Sequence, residues 1–185
     1  QYQHRVFHVG MLRISWFLAL LFSTLTNAFL PSVYPRLVSS SSSFTIMSMS
    51  SSYTPEQQEA VNAVSFYGSK LNAEDVEGVV SAYAPDGIFY PYNLPTASGS
   101  EAIQESYTNI FKLIKLNVNF VFEDVIVSSG GDLATVITSS AGKVFVKEPK
   151  IEAPEANREV FILKKVDGTF KIAHYMFNKS EAPPS

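Results

Sequence analysis

The spacing of apolar residues changes from a helical period to a strand period part-way along the chain. Between Thr54 and Ile114 apolar residues recur every three or four positions, as on the buried side of an amphipathic helix. From Leu116 onward they recur every second position, which is typical of strands that bury one face. A set of helices followed by a set of strands predicts an α+β fold, with the helices on one face of a curved sheet.

Capping residues and turn residues set the predicted boundaries of the helices. Thr54 suits an N-cap and Pro55 suits the first helical position, so a helix is predicted to begin there. Asp86 is expected to cap a turn after the second helix. The predicted helices are residues 55–70, a segment capped by Asn72 that ends at Pro85-Asp86-Gly87, and a segment that begins at Gly99 or Ser100.

The strands are separated by turns rich in glycine and proline. Gly130-Gly131-Asp132 and Asp167-Gly168 predict turns between strands, and a loop is predicted around Pro149 and Pro154. The predicted strands are Ile88 to Tyr90, Leu116 to Val125, Leu133 to Val146, Arg158 to Val166, and Phe170 to Phe177.

Composition excludes several classes of function. The 185 residues are 46% hydrophobic and 17% charged, as in a globular protein, and contain no cysteine that could form a disulfide, a zinc site or a nucleophile. From residue 53 onward the chain has 11 basic and 17 acidic residues, a net charge of −6, which argues against nucleic acid as a partner. His4 and His8 lie outside the domain, so neither a histidine metal site nor a cofactor is predicted.

The first 52 residues contain no acidic residue and have the features of targeting segments. Residues 1–10 precede Met11 and are interpreted as an upstream extension. Residues 11–28 combine Arg13, an apolar run and the small Ala28, as in a signal peptide, although a buried core helix is the alternative. The run is too short to span a membrane comfortably, since a span takes about 20 apolar residues. Residues 29–52 form a serine-rich, transit-like segment.

The order of these segments resembles the bipartite plastid presequence of diatoms and related algae, in which a phenylalanine follows the signal peptide, here Phe29. That resemblance implies a plastid location. Secretion is one alternative, and initiation at Met47 or Met49, which would give a cytosolic protein, is another. The mature protein is expected to contain no membrane span. Its folded domain is predicted at residues 53–180, followed by a disordered tail at 181–185.

Two stretches of the domain resemble one superfamily. The segment SKLNAEDVEGVVSAYAPDGIFYPYNLPTASGSEAIQESY is similar to the front half of the SnoaL-like, nuclear-transport-factor-2-like superfamily, especially its ketosteroid isomerase homologues. The segment NREVFILKKVDGTFKIAHYMFNKS is similar to the closing hairpin of these proteins. The resemblance spans about residues 56–179. It implies a cystatin-like cone, in which three N-terminal helices pack on a curved, mainly antiparallel sheet and enclose a pocket.

The same resemblance implies where the groups of ketosteroid isomerase would fall. That enzyme uses an Asp base with a Tyr and a protonated Asp as oxyanion donors. Its oxyanion Tyr falls on Tyr67, and the supporting Tyr falls on Tyr107. The base falls on Tyr90-Pro91, and the second donor falls on Ile162, with Glu159 as the nearest carboxylate. Because a phenol ionises only at about pH 10, the base is missing and that mechanism is not expected.

The residues predicted to form the site are mostly aromatic. Tyr67 and Tyr107 suit a pair of hydrogen-bond donors in the pocket, and satisfied core tyrosines are the alternative. Strand alternation places His174 with Ile172 and Met176 on one face, which the sequence does not identify as concave or convex. The predicted ligand-binding residues are Tyr67, Tyr90, Tyr92, Tyr107, Phe111, Phe120, Phe145, Phe161 and Met176. The predicted catalytic residues are Tyr67, His174 and Glu159.

Two functions from different classes remain open at this point. The first is binding of a small apolar or carbonyl-bearing molecule within the cone, without the Asp base of ketosteroid isomerase. The alternative is an isomerase, cyclase or hydratase-like enzyme, with Tyr67 as oxyanion donor and His174 or Glu159 as base. The predicted partners are a small-molecule ligand and a second copy of the chain, which would form a homodimer through the open face of the sheet.

Overall fold

The first helix begins at the predicted cap. In the computed structural model, which describes residues 53–181, the Gln57 amide donates to the Thr54 side chain and the Thr54 amide donates to the Gln57 side chain. This reciprocal pair satisfies two backbone donors that a helix start leaves free. The targeting segments predicted within residues 1–52, and the tail beyond residue 181, lie outside the described residues.

The described residues form three helices and one six-stranded sheet. The helices are α1 (Pro55–Asn72), α2 (Val76–Ala82) and α3 (Gly99–Leu113). The strands are β1 (Tyr83–Tyr90), β2 (Ala97–Ser98), β3 (Ile114–Val127), β4 (Leu133–Val146), β5 (Ile151–Val166) and β6 (Thr169–Lys179). Their spatial order is β2-β1-β6-β5-β4-β3, and only β1 and β6 pair in parallel. The predicted α+β fold, with helices packed on a curved and mainly antiparallel sheet, is confirmed.

The second helix starts later than the sequence indicates. Its N-cap is Asp75, whose carboxylate accepts a 2.9 Å hydrogen bond from the Gly78 amide. The prediction that Asn72 caps this helix is wrong, because Asn72 still belongs to α1 and its side chain has another partner. The Asn72 amide accepts from the Val118 N–H at 3.0 Å and donates to the Val118 carbonyl at 2.8 Å. It thereby covers a donor and an acceptor on the edge strand β3.

Two proline segments lie in strands where turns were expected. Pro85-Asp86-Gly87 lies within β1, at an irregularity in its pairing with β6, so Asp86 caps no turn. The Asp86 carboxylate instead forms an ion pair with Lys164 at 2.6 Å. Pro154 lies within β5, opposite Lys143. Because β6 ends opposite Asn157, β5 has a neighbouring strand only on its β4 side at Pro154, where a missing N–H is tolerated.

The sheet has two faces that differ in their side chains. The inner face packs against the helices, and the outer face points away from them. Buried residues that define the inner face are Val136, Thr138, Ser140, Asn157, Glu159, Phe161, Leu163 and Tyr175. Exposed apolar residues on the outer face are Val121, Ile126, Leu133, Phe145, Ile162 and Met176.

A bulge in β6 changes which side chains point inward. Ile172 pairs with Leu163 and His174 pairs with Ile162, so one extra residue, Ala173, lies in β6 between the two pairs. Ile172 is therefore buried on the inner face, whereas His174 and Met176 lie on the outer face. The prediction that Ile172, His174 and Met176 share one face is wrong, because a bulge shifts the alternation by one residue. Among residues 53–181 no helix is long and apolar enough to cross a membrane.

Candidate functional site

Aromatic rings fill the space between the helices and the inner face. Tyr67 is at the centre of this cluster because it shares the buried side of α1 with Val64 and Leu71, at helical spacing. The rings whose centroids lie 5.2 to 6.4 Å from that of Tyr67 are those of Tyr83, Tyr107, Phe120, Phe161 and Tyr175. Most of these pairs meet edge to face, as aromatic rings favour.

Three tyrosine hydroxyls form a chain inside the cluster. The phenolic oxygen of Tyr107 lies 2.8 Å from that of Tyr67 and 3.0 Å from that of Tyr83. Tyr67 and Tyr107 are each only 1% exposed, so these hydrogen bonds are shielded from water. Three hydroxyls joined by two hydrogen bonds commit two of their three protons to each other. The Tyr175 hydroxyl extends the chain at Tyr67, and one O–H of the extended chain is still left over for a further acceptor.

Burial keeps these hydroxyls protonated. It is the largest cause that raises the pKa of Tyr67, Tyr83 and Tyr107 well above the usual value of a phenol. Because an ionised phenol would be unpaired in an apolar surrounding, all three act as neutral donors and acceptors at ordinary pH. The three hydroxyls are therefore suited to stabilising a partial negative charge on a bound oxygen, but not to removing a proton from it.

A buried carboxyl group lies beside the aromatic cluster. Glu159 is 2% exposed on β5, two residues from Phe161 on the inner face. Thr138 donates to one carboxylate oxygen at 2.7 Å, and Ser140 donates to the other. Burial raises the pKa of Glu159 above that of an ordinary glutamate, and these two hydrogen bonds only partly offset the effect. A carboxyl group whose pKa is raised by burial is a candidate for proton transfer.

The resemblance had placed the second oxyanion donor at Ile162, and the structure gives Ile162 a different position. Ile162 is 39% exposed on the outer face. The inner-face carboxyl on this strand is Glu159, three residues earlier. Counting back from the hairpin turn therefore led to a residue on the outer face, because β5 alternates regularly and Ile162 pairs with Thr135 and His174 on that face.

Other polar side chains extend the inner face beyond Glu159, and sequence reasoning did not identify them. Asn157 donates to Ser140 and to Glu155, and Glu155 also forms an ion pair with Lys179. Their signal in the sequence is the period-two series Glu155, Asn157, Glu159. That signal was not used because the sequence predicts a loop around Pro154 and a strand that starts only at Arg158, whereas β5 starts at Ile151.

The predicted site residues divide into two groups. The structure brings together Tyr67, Tyr107, Phe111, Phe120, Phe161 and Glu159 on the inner side of the sheet. The second group lies apart from this cluster. Tyr90 stacks on His174 across the outer face, with its hydroxyl 3.2 Å from the His174 Nδ1 atom. Phe145 and Met176 are exposed on the outer face, and Tyr92 lies in the turn after β1.

The inner side therefore combines an apolar aromatic lining, a neutral O–H donor and a carboxyl group. Chemically, such a set can polarise a carbonyl group and exchange a proton with the molecule that carries it. Among residues 53–181 no group of three or more histidine, aspartate or glutamate side chains is placed to hold a metal ion.

Comparisons with known proteins agree with the fold. A family model described as a SnoaL-like domain matches residues 61–177. A ketosteroid isomerase-like protein from Erwinia carotovora atroseptica is 25% identical, with a TM-score of 0.66 over 70% of this chain and 99% of that chain. A candidate dehydratase of the NTF2-like family from Streptomyces avermitilis is 16% identical, with a TM-score of 0.58 over 69% and 98% of the two chains.

A Nostoc punctiforme protein with a cystatin-like fold is 17% identical, with a TM-score of 0.55 over 69% of this chain and 93% of that chain. The similarities to the Streptomyces and Nostoc proteins show a shared fold only. The comparison with curated proteins gives no match.

Proposed function

Because this chain belongs to the SnoaL-like domain family, we propose that the inner side of its cone binds a small, apolar, carbonyl-bearing molecule. The observation that carries the proposal is the tyrosine chain, in which the Tyr67 and Tyr107 hydroxyls are 2.8 Å apart and shielded from water. A carbonyl group is an acceptor without a proton of its own. It is therefore the complement of a chain of hydroxyls that has one donor left over.

The surroundings strengthen that donor. Hydrogen bonds in a chain polarise one another, and the low dielectric of a buried site makes each of them stronger than in water. The ring of Phe120 packs beside Tyr67, is only partly buried and offers apolar contact to the body of a ligand. An apolar molecule with one carbonyl matches both features.

A second candidate function is proton-transfer catalysis on the same kind of molecule. The observation that favours it is the position of Glu159 on the inner face, buried and with a raised pKa. We infer that Glu159, and not His174, would be the base, because His174 lies on the outer face with Tyr90. Tyr67 would then stabilise the enolate oxygen that forms when a proton leaves the neighbouring carbon.

Titration with benzylacetone, a phenyl ring joined to a methyl ketone, tests the binding proposal. The Tyr67→Phe variant keeps the ring packing and removes the hydroxyl, so its affinity should fall about fivefold to tenfold. Tyr92→Phe, which alters a tyrosine outside the cluster, is the matched control. Equal affinities of wild type and Tyr67→Phe in calorimetry would count against the role of Tyr67.

The catalytic candidate has a separate readout. Proton abstraction next to the ketone exchanges these hydrogens for deuterium in heavy water, and proton NMR follows the loss of signal. We expect Glu159→Gln to abolish any exchange above the uncatalysed rate while the ketone still binds. If wild type binds the ketone without accelerating exchange, the enzyme alternative fails for this substrate class and the binding proposal stands.

We further propose that the outer face forms a homodimer. Ile162 is 39% exposed and Met176 is 54% exposed on neighbouring strands of this face. Val121, Ile126 and Leu133 add exposed apolar area on β3 and β4. A sheet face with this many exposed apolar side chains is stabilised when a partner covers it, and a second copy of the chain presents a matching face.

The location of the protein is also a proposal. The serine-rich, acid-free stretch after Ala28 supports import into a plastid. A fluorescent protein fused behind residues 1–52 and expressed in a diatom should accumulate in the plastid. Fluorescence in the medium would favour secretion, and fluorescence in the cytosol would favour initiation at Met47 or Met49.

A further inference from the structure

One buried polar atom on the inner face has no partner among the described residues. It is the side-chain oxygen Oδ1 of Asn157, a residue that is only 7% exposed. A buried amide oxygen without a donor destabilises the fold, because it gives up its hydrogen bonds to water and gains none. Such atoms are rare in folded proteins, because nearly all buried polar groups are hydrogen-bonded.

The orientation of the Asn157 amide is fixed by its neighbours. Its Nδ2 group donates to the Glu155 carboxylate at 3.1 Å and to the Ser140 hydroxyl oxygen at 3.4 Å. Glu155 forms an ion pair with Lys179, and a carboxylate has only acceptor oxygens. The Ser140 proton is already committed to Glu159. Turning the amide over would place oxygen against oxygen, so Oδ1 must point away from both acceptors.

Asn157 also stands in line with the proposed ligand site. It precedes Phe161 by four residues on the same face of β5, which corresponds to about 13 Å along the strand. Phe161 packs against Tyr67, and Glu159 lies between Phe161 and Asn157. The tyrosine chain and the free oxygen therefore mark two ends of one strip of the inner face. One end offers a donor and the other offers an acceptor.

We propose that Asn157 is a ligand-contacting residue whose Oδ1 accepts a hydrogen bond from a hydroxyl or amine group of the bound molecule. The inference rests on the proposed function, in which Tyr67 holds the carbonyl end. It narrows the ligand class to apolar molecules with a carbonyl at one end and a donor at the other, such as hydroxyaryl ketones. Asn157 then determines specificity, because its Oδ1 atom accepts a hydrogen bond from a hydroxyl or amine group but not from a group without a proton to donate.

Three compounds of nearly equal size test this inference by calorimetry: benzylacetone, its para-hydroxy derivative and its para-methoxy derivative. Only the hydroxy compound has a donor at the ring end. Wild type should bind it about fivefold more tightly than the methoxy compound. In Asn157→Leu, which keeps the size of the side chain, the two affinities should become equal. Asn178→Leu changes an exposed asparagine on β6 and should keep the preference.

Failure of the subsite and failure of the proposed function give different results. Equal binding of the hydroxy and methoxy compounds by wild type, or a preference that survives in Asn157→Leu, overturns the role of Asn157. No binding of any of the three compounds overturns the proposed function together with the subsite. If Asn157→Leu does not fold, the ratio of the hydroxy and methoxy affinities in wild type still tests the role of Asn157. Tyr67→Phe should weaken all three compounds by the same factor, because it acts at the carbonyl end.

Discussion

Thr138 donates a 2.7 Å hydrogen bond to Glu159 across the β4–β5 pair, on the inner face of the sheet. The two residues are directly opposite each other, and Ser140 donates to the second carboxylate oxygen from two positions along β4. Two hydroxyl donors make the burial of this carboxyl group tolerable without a cation. The carboxyl group therefore remains a titratable group next to the aromatic cluster.

The stability of the fold should depend on the protonation of Glu159. Because burial raises its folded pKa above the unfolded value, the folded state keeps a proton that the unfolded state releases. The contribution to stability is complete below the unfolded pKa, about 4.3, and is lost as pH rises through the folded pKa. Glu159→Gln removes this dependence, so its free energy of unfolding relative to wild type should rise with pH.

Urea unfolding of both proteins at a series of pH values measures this difference directly. Changes elsewhere in the chain affect wild type and variant alike and cancel. A difference that stays flat from about pH 4 to about pH 8 would mean that Glu159 has the same pKa in both states.

Removing the middle hydroxyl of the tyrosine chain should lower the free energy of unfolding more than removing a hydroxyl at its end. Tyr107→Phe keeps the ring but leaves Tyr67 and Tyr83 each without its Tyr107 partner, so we expect a loss of about 2 kcal/mol. Tyr83→Phe breaks a single contact and should cost about 1 kcal/mol. Chemical unfolding at one pH compares the two variants. Equal losses would show that the hydroxyls do not act as a chain.

Gly142 should tolerate no larger residue, because β3 passes close beside it. A Cβ atom at this position would lie 2.1 Å from the Asn117 carbonyl oxygen and 2.8 Å from the Val118 Cα atom. Both atoms belong to the backbone, so Gly142→Ala would force β3 and β4 apart and should destabilise the fold by about 2 kcal/mol or more. Gly130→Ala, whose nearest neighbour is the flexible Asp132 carboxylate, is the control and should change stability by less than about 0.5 kcal/mol.

A charge on the outer face should prevent the proposed homodimer. Ile162→Lys places an ammonium group in the middle of the exposed apolar surface, where a partner would have to bury it. Sedimentation should then show a monomer at concentrations where wild type is a dimer. Gln104→Lys, on the exposed side of α3, should leave the dimer intact. A wild-type protein that sediments as a monomer would contradict the proposal outright.

Much of the fold could be predicted because its signals are local. The Thr54 cap acts within one helical turn, and the Asp167-Gly168 turn depends on two residues whose φ angles are 50° and 78°. The change of period near Leu116 likewise depends only on neighbours in sequence. Pro154 and Asn72 were misjudged because each role depends on a distant strand: the end of β6 in one case, and the edge of β3 in the other.

The sequence by itself determined the α+β class and the order of the three helices and the five longer strands. The resemblance singled out Tyr67 and Tyr107, and the structure places both in the core. Only the tertiary structure decided which side chains of each strand lie on the inner face of the sheet. The bulge at Ala173 places His174 on the outer face and Tyr175 against Phe161. No local sequence pattern predicts this bulge. Strand pairing then places Glu159 beside Thr138 and fixes the Asn157 amide. A side chain's face depends on register across strands, and register is set by contacts between residues far apart in the chain.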